Sequence, residues 1–162
     1  MPFTIQENTL IGQPIAETST VARHAPGTIV RAKDPVYGAG EFAYLKGAAS
    51  TVVGSAVIYN PDDFSTSLLV ANDIGPVAVA MSANIAGQFG WYQIAGKAAI
   101  KAATVVDNAN VYASATPGQV DDAVVAGDRV KNAKFASADG TPAAGLAECE
   151  IWRPFMDDGV AA

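Results

Sequence analysis

The chain has 162 residues, with 10 basic and 16 acidic side chains, a net charge of −6 and one cysteine. This length predicts a single domain, and the scattered negative charge without a basic cluster argues against direct binding of DNA or RNA. A single cysteine excludes an internal disulfide bond and a metal site built from several thiolates.

The composition also argues against a membrane protein. No uninterrupted apolar run approaches the ~20 residues that cross a bilayer. The opening MPFTIQENTL has neither the basic start nor the apolar centre of a secretion signal. We therefore expect a protein that remains where it is made and has no membrane partner.

Residues 1–36 are predicted to form an extended N-terminal arm. Prolines stand at positions 2, 14, 26 and 35, and no helical or strand period is sustained between them. Because proline fixes its own φ and pushes the preceding residue toward extended geometry, we expect extended chain here, with one strand at Thr28–Ala32. Such an arm is expected to lie on another surface.

Residues 37–158 are predicted to form the β domain, because short β-type runs alternate there with Gly, Pro, Asn and Asp. The runs are EFAYLKG, SAVIYN, SLLVA, GPVAVAMS, GWYQIAGKA, NVYAS, DRVKNAKFASA and LAECEIWR. Alternation is clearest in the last, where Ala147, Cys149 and Ile151 share one face and the glutamates between them share the other. Cys149 is therefore expected to be a buried, unreactive thiol. Trp152 lies on the glutamate face, which predicts that this face is not wholly solvated.

The run GKAAIKAATVV is compatible with a helix because of its alanine content. Gly96 and the turn-like DNAN flank it, however, and favour a strand. The sum predicts an all-β fold, a small barrel or sandwich of short antiparallel strands with the N-terminal arm attached. Residues 159–162 are expected to be a frayed C-terminus.

The motifs of common enzymes are absent from the sequence. GWYQIAGK resembles a phosphate-binding loop, but it has five residues between its glycines instead of four, bulky side chains among them, and alanine after the lysine. GAGEF lacks the third glycine of a dinucleotide fingerprint. The only histidine, His24, lies in the arm beside Arg23 and Pro26, as an arm contact or a solvated side chain, which argues against a catalytic triad. We predict no enzyme, no cofactor and no metal site.

Adjacent aspartates are the remaining candidates for chemistry, because two carboxylates can share a proton or bind Ca²⁺ or Mg²⁺. The pairs are Asp62–Asp63, Asp121–Asp122 and Asp157–Asp158. None has the alternate spacing around a glycine that calcium loops use. Before the first pair, Pro61 presets a turn and Asn60 is placed to cap it through its side chain. We predict turns or solvated faces at all three pairs, with a weak cation site and a small hydrolase as alternatives.

Aromatic residues are more numerous than the inner face of a small alanine-rich domain needs. Ordinary core and half-buried strand positions are one explanation. A homo-oligomer seam is the other, because tyrosine and tryptophan are favoured at protein interfaces. Its candidate residues are Trp91, Tyr92 and Trp152.

Three blocks of the sequence together suggest a family. They are DPVYGAGEFAYLKGAASTVVGSAVIYNPDD, GPVAVAMSANIAGQFGWYQIAGKA, and the segment from VDDAVVAGDRVKNAKFASA to TPAAGLAECEIWRPFMDD. Over residues 17–158 the chain resembles the capsid decoration, or cement, proteins of tailed bacteriophages. The most specific pieces are YGAGEF followed by YLKG, and GWYQI followed by GKA.

The resemblance implies a virion structural protein that binds the outside of an icosahedral capsid and stabilises the expanded shell. Its partners would be the major capsid protein and itself, as a homotrimer, and it would be made in the host cytoplasm. The arm would then supply apolar contacts to the capsid or to a neighbour through Phe3, Ile5, Leu10 and Ile11. The alternatives are a head-fibre base and a glycan- or host-surface-binding virion module, in which Trp91, Tyr92 or Trp152 stacks on a sugar ring.

Overall fold

The computed structural model of the chain describes residues 12–157 and the backbone of residues 4–5. These residues form twelve strands and no helix. The strands are β1 (Thr4–Ile5), β2 (Thr18–Ser19), β3 (Ile29–Asp34), β4 (Gly38–Lys46), β5 (Ala56–Tyr59), β6 (Thr66–Leu68), β7 (Ile74–Ala80), β8 (Phe89–Lys101), β9 (Asn110–Ala113), β10 (Val120–Asp121), β11 (Arg129–Phe135) and β12 (Leu146–Asp157). Each of the eight β-type runs of the sequence coincides with one strand, so the predicted all-β class is confirmed.

The long strand β8 organises the sheet. It pairs with β4 along one edge, and along the other edge first with β7 and then, from Ala95 to Lys101, with β12. The main strand order is β1-β3-β4-β8-β7-β12-β11-β9-β10, and these named strands pair antiparallel. The sheet is not closed, so of the two predicted architectures the fold is sandwich-like and not a barrel.

The run GKAAIKAATVV is a strand as far as Lys101, as predicted, because it forms the second half of β8. Ala98 and Ile100 are buried there with the period of two that a strand requires. They pack in the largest buried cluster, against the inner face of β12. Small side chains suit this position, because a long strand paired on both edges leaves little room between layers.

The alternation of LAECEIW is confirmed. Ala147, Cys149 and Ile151 are buried in the largest cluster. Burial raises the pKa of the Cys149 thiol to about 12, so this thiol is protonated at neutral pH and is a poor nucleophile.

Residues 12–36 are not a separate arm, and the predicted domain boundary at residue 36 is wrong for this segment. β3 pairs with β4 along its whole length, from Ile29 opposite Ala43 to Asp34 opposite Gly38. Ile15 is buried together with side chains of β3, β4 and β8. The prolines separate short pieces that lie on the sheet, and the strand expected near Thr28–Ala32 is β3.

Gln13 attaches this segment to the sheet. Its side chain is 1% exposed, and its Nε2 donates to the carbonyl oxygens of Glu17 at 2.6 Å and Phe89 at 2.9 Å. Its Oε1 accepts from the Tyr44 hydroxyl at 2.7 Å, and its own carbonyl accepts from Trp91 Nε1 at 2.8 Å. Because both the donor and the acceptor of this buried amide are hydrogen-bonded, the amide fixes the position of the N-terminal segment on the sheet.

His24 packs against the same cluster and is half-buried. Its ring lies 5.1 Å from the rings of Tyr44 and Trp91, measured between centroids. Its Nε2 accepts the backbone N–H of Gln13 at 3.1 Å, which requires the unprotonated nitrogen. Burial lowers the pKa of His24 from its ordinary value of 6.5.

The lowered pKa of His24 predicts a pH-dependent stability. Between the folded pKa and about pH 6.5, the unfolded chain binds a proton that the folded chain does not bind. The free energy of unfolding is therefore expected to be highest above that window and to fall as the pH decreases through it. Thermal melts between about pH 5 and about pH 8 measure this. The His24→Gln variant lacks the titrating group, and an equal fall in this variant would contradict the assignment.

The turn between β5 and β6 has the structure that its sequence predicts. Asn60 Oδ1 accepts the N–H of Asp62 at 2.9 Å, and the Asn60 carbonyl accepts the N–H of Phe64 at 2.8 Å. Asp63 Oδ1 accepts from the backbone N–H and the hydroxyl of Ser65, which lowers the pKa of Asp63. The Asp63 carboxylate and the Asp62 backbone N–H therefore both take part in the turn.

Replacing Asn60 by alanine is expected to cost about 1 kcal/mol, because the side-chain cap of the turn is lost. The Asp62→Asn variant is the matched control and is expected to melt like the wild type, since the Asp62 group bonded in the turn is its backbone N–H. Thermal unfolding compares them. An equal loss of stability in the two variants would contradict the prediction, because it would show that the Asp62 carboxylate matters to the turn as much as the Asn60 side chain does.

Candidate interaction surface

Two of the three predicted seam residues are core residues. Trp91 and Tyr92 are fully buried, and they point to opposite sides of β8 into two different clusters. The prediction that they form an oligomer seam or stack on sugars is therefore wrong, because neither side chain reaches the surface. β8 is covered on both faces, so adjacent aromatic residues are both enclosed.

Trp152 is the third residue, and it is 67% exposed. It points away from the core, as the alternation of β12 predicts, and lies on the side of Glu148 and Glu150. The expectation that this face is not wholly solvated does not hold at Trp152 in the isolated chain. An exposed indole of this extent is a feature of interaction surfaces.

The arm residues predicted to contact a partner lie outside the description. Phe3, Leu10 and Ile11 are not among the described residues, and for Ile5 only the backbone is described, in β1 opposite Ala32. Their contacts remain predictions.

The other aspartate pairs are bound locally. Asp121 Oδ1 accepts the N–H of Ala123, and Asp122 Oδ2 accepts the N–H of Val106 at 3.0 Å. Asp157 ends β12 in an ion pair with Lys131, and Asp158 lies outside the described residues. Within residues 12–157, no group of three or more His, Cys, Asp or Glu side chains is placed to hold a metal ion.

Trp152 stands at an irregularity of β12. Lys131 pairs with Phe155 and Ala133 with Ile151, so residues 152–154 oppose the single residue Asn132. Asn132 and Arg153 both have left-handed backbone conformations, with φ of 58° and 47°. Such a conformation costs a residue other than glycine about 1–2 kcal/mol, and strained residues of this kind occur preferentially at functional sites.

This bulge lets β12 change neighbours. Before it, Trp152 lies opposite Ala95 of β8, and after it, Phe155 lies opposite Pro76 of β7. Pro154 occupies the bend. A bulge is a position where the sheet does not need a backbone N–H donor, so proline, which lacks this group, is tolerated there. The bend therefore places the exposed indole at the junction of three strands.

Two surface grooves meet at Trp152. The first is lined by Arg129, Asn132, Ala133, Lys134, Glu150, Ile151 and Trp152. The second is lined by Arg31, Ala39, Gly40, Glu41, Ala95, Gly96 and Trp152. The small residues of the second groove leave one side of the indole accessible. We call the surface formed by these two grooves, together with Lys33, Lys131, Arg153 and Asp157 beside them, the Trp152 face.

Charge on the Trp152 face is mixed but predominantly positive. Glu41 accepts from Arg153 at 2.8 Å and lies 3.5 Å from Arg31. Lys134 pairs with Glu150, and Lys131 pairs with Asp157. The Lys134–Glu150 and Lys131–Asp157 pairs are exposed, so each contributes little to stability, whereas the Glu41 side chain is only 16% exposed.

A third groove adjoins the face and is apolar. Its lining includes Ile29, two residues from Arg31 on β3, and Phe155, three residues from Trp152 on β12, with Tyr59 between them. Burial raises the pKa of Tyr59, and the charge of Arg153 opposes the rise, which places the guanidinium close to this groove. Ile29 is 44% exposed and Phe155 40%, so the apolar surface near Trp152 extends beyond the indole.

Comparison with protein-family models, with curated proteins and with solved structures found no match to this chain. The fold and the surface define an all-β, sandwich-like protein with an exposed tryptophan on one face. Among the described residues, no helix is long and apolar enough to span a membrane.

Proposed function

We propose that the protein is a virion structural protein that binds the outside of an icosahedral phage capsid and stabilises the expanded shell. It acts without catalysis or cofactor, as a homo-oligomer, with the homotrimer as the form implied by the family resemblance. The resemblance over residues 17–158 supports the class. The observation that carries the proposal is the Trp152 face, a large exposed indole next to an apolar groove, which has the composition of a docking surface.

The physical basis of shell stabilisation is linkage. A site that spans several capsid subunits exists only in the expanded arrangement, so a protein that binds there favours this arrangement by mass action. The charged side chains on the rest of the sandwich remain solvated and keep the particle soluble. No chemical step is needed for this function.

The test is binding of the purified chain to expanded and unexpanded shells of its major capsid protein, followed by sedimentation. We expect binding to the expanded shells and a loss of at least about tenfold in affinity for Trp152→Ala, because an exposed tryptophan is a frequent hot spot. Val21→Ala, a change at a residue that is 71% exposed but outside the Trp152 face, is the control. Equal binding to both shells, or to neither, contradicts the proposal.

The predicted arm contacts have a separate test. Removing residues 1–11 deletes Phe3, Ile5, Leu10 and Ile11 but leaves Gln13 and Ile15, whose burial the fold needs. The shortened chain is expected to fold and to lose binding to expanded shells. Undiminished binding would show that these residues do not contact the capsid.

A glycan-binding virion module is the second candidate, and the single exposed indole among charged side chains favours it. Under this hypothesis Trp152→Phe keeps partial binding to immobilised glycans, because a phenyl ring still stacks on a sugar, whereas Trp152→Ala loses it. Shell binding with no glycan binding would reject this candidate.

A further inference from the structure

The Trp152 face differs in charge from the rest of the molecule. Among the described residues it carries six basic and three acidic side chains, a net charge of +3. The whole chain carries −6, so the remainder carries −9. Lys97 and Glu148, which pair with each other next to this face, add no net charge.

A second surface of the chain has the opposite character. Four loops, which follow β6, β8, β10 and β11, meet where aspartates accept backbone N–H groups of neighbouring loops. Asp128 bonds Asn72 at 3.0 Å, Asp122 bonds Val106 at 3.0 Å, and Asp139 bonds Val105 at 3.0 Å. We call this surface the aspartate end; its acidic residues are Asp73, Asp107, Asp121, Asp122, Asp128 and Asp139.

Three carboxylates of the aspartate end, those of Asp121, Asp122 and Asp128, lie close to one another. Burial raises the pKa of Asp121, and the charges of Asp122 and Asp128 raise it further. Within residues 12–157, none of the six acidic residues is in an ion pair with lysine or arginine. Lysine and arginine side chains of residues 12–157 therefore do not neutralise the negative charge of this end.

Apolar side chains are exposed at the same end. Val124 is 82% exposed, Val106 60%, Val125 48% and Val70 40%. They lie in the loops that the aspartates join. At the aspartate end, exposed apolar side chains are therefore surrounded by acidic residues. On the Trp152 face, an exposed indole is surrounded mainly by basic residues.

We propose that the Trp152 face of one copy of the chain binds the aspartate end of a second copy. Charge complementarity favours this arrangement over the two symmetric ones. Two Trp152 faces, each with a net charge of +3, would repel each other, and two aspartate ends would repel each other more strongly. The valines cover the indole, and the basic side chains meet the exposed carboxylates that carry no ion pair, such as Asp107 and Asp139; Asp128 is 5% exposed and contributes its charge from beneath the surface. Because the two surfaces differ, the contact is heterologous and repeats head to tail until a ring closes.

This inference rests on the proposed function and specifies its self-association: the Trp152 face is covered by a second copy, and the assembled copies bind the shell, so Trp152→Ala weakens shell binding through loss of the oligomer. Its test needs no shell, so failure of this inference is distinguishable from failure of the proposed function. Sedimentation velocity of the purified chain is expected to show oligomers that dissociate as salt rises from about 0.05 M to about 0.5 M, because screening weakens the contact. A chain that is monomeric throughout this range overturns the proposal.

Mixing two variants identifies the contact as head to tail. The face variant is Trp152→Glu, and the end variant combines Val124→Lys with Asp107→Lys. Each keeps one intact surface, so each alone is expected to associate at least about tenfold more weakly than the wild type. An equimolar mixture is expected to form one-to-one dimers that do not grow further, because only one intact contact is available.

The control combines Val21→Lys with Glu17→Lys, which makes the same change of type and charge at exposed residues outside both surfaces. It is expected to associate like the wild type. Association of the end variant alone at wild-type strength would mean that Trp152 faces pair with each other, and a mixture that stays monomeric would exclude the complementary contact. Either result overturns the proposal.

Discussion

Replacing Trp91 by alanine is expected to lower the free energy of unfolding by about 3–5 kcal/mol, as for other fully buried tryptophans. The indole is 0% exposed, lies 4.9 Å from the ring of Tyr44 between centroids, and donates from Nε1 to the carbonyl of Gln13. Its removal leaves a cavity and an unpaired carbonyl. Since domains of this kind are stable by about 5–15 kcal/mol, the variant is expected to unfold at a much lower urea concentration.

Trp152→Ala is the matched control, since it removes the same side chain from an exposed position. It is expected to change the free energy of unfolding by less than about 0.5 kcal/mol. Urea titrations of the two variants therefore separate the tryptophan that builds the fold from the tryptophan available to a partner. Similar losses in both would contradict this division.

Gln13→Ala is expected to cost about 2–4 kcal/mol, although it changes a residue near the start of the described chain. The substitution leaves the buried Tyr44 hydroxyl without its acceptor and the Phe89 carbonyl without its donor, and each unpaired group costs about 1–3 kcal/mol. Thermal and urea unfolding measure the loss. The half-buried Gln88, replaced by alanine, is the control and is expected to have a small effect.

A double-mutant cycle tests the network itself. Tyr44→Phe removes the hydroxyl that donates to Gln13, so the double variant is expected to lose less than the sum of the single losses by about 1 kcal/mol or more. Strictly additive losses would show that the two side chains do not act together. The same network explains why a truncation that passes Gln13 should destabilise the sandwich.

The sequence predicted the direction of Trp152 but not the burial of Trp91 and Tyr92. In β12 one face is covered and the other is open, so a period of two separates inward from outward residues. In β8 both faces are covered, and adjacent aromatic residues are buried whichever way they point. Composition alone does not distinguish a half-covered strand from a fully covered one.

The N-terminal segment was misjudged for a related reason. Its prolines predict extended chain, which is correct, but extended chain occurs both in free arms and in strands of a sheet. The burial of Val30 and Ala32 in β3 depends on the opposing residues of β4, and this pairing is not encoded locally.

The Trp152 face and the aspartate end were not found in the sequence, because their residues are far apart along the chain. Arg31 and Lys134 come to the same face only through the order of β3, β4, β8, β12 and β11. Asp73 and Asp139 are likewise brought to one end by loop packing. The basic residues of the Trp152 face are therefore clustered in the folded sheet although they are scattered along the chain.

The position of β12 in the sheet has a consequence for how the protein is made. This strand pairs with β8, β7 and β11, and it completes the largest buried cluster. During synthesis the earlier strands therefore leave part of their apolar surface uncovered until β12 has left the ribosome. Folding of the sandwich is expected to be completed only after β12 has emerged, at the slow rate typical of non-local β pairing, and the nascent chain is most exposed to aggregation just before then.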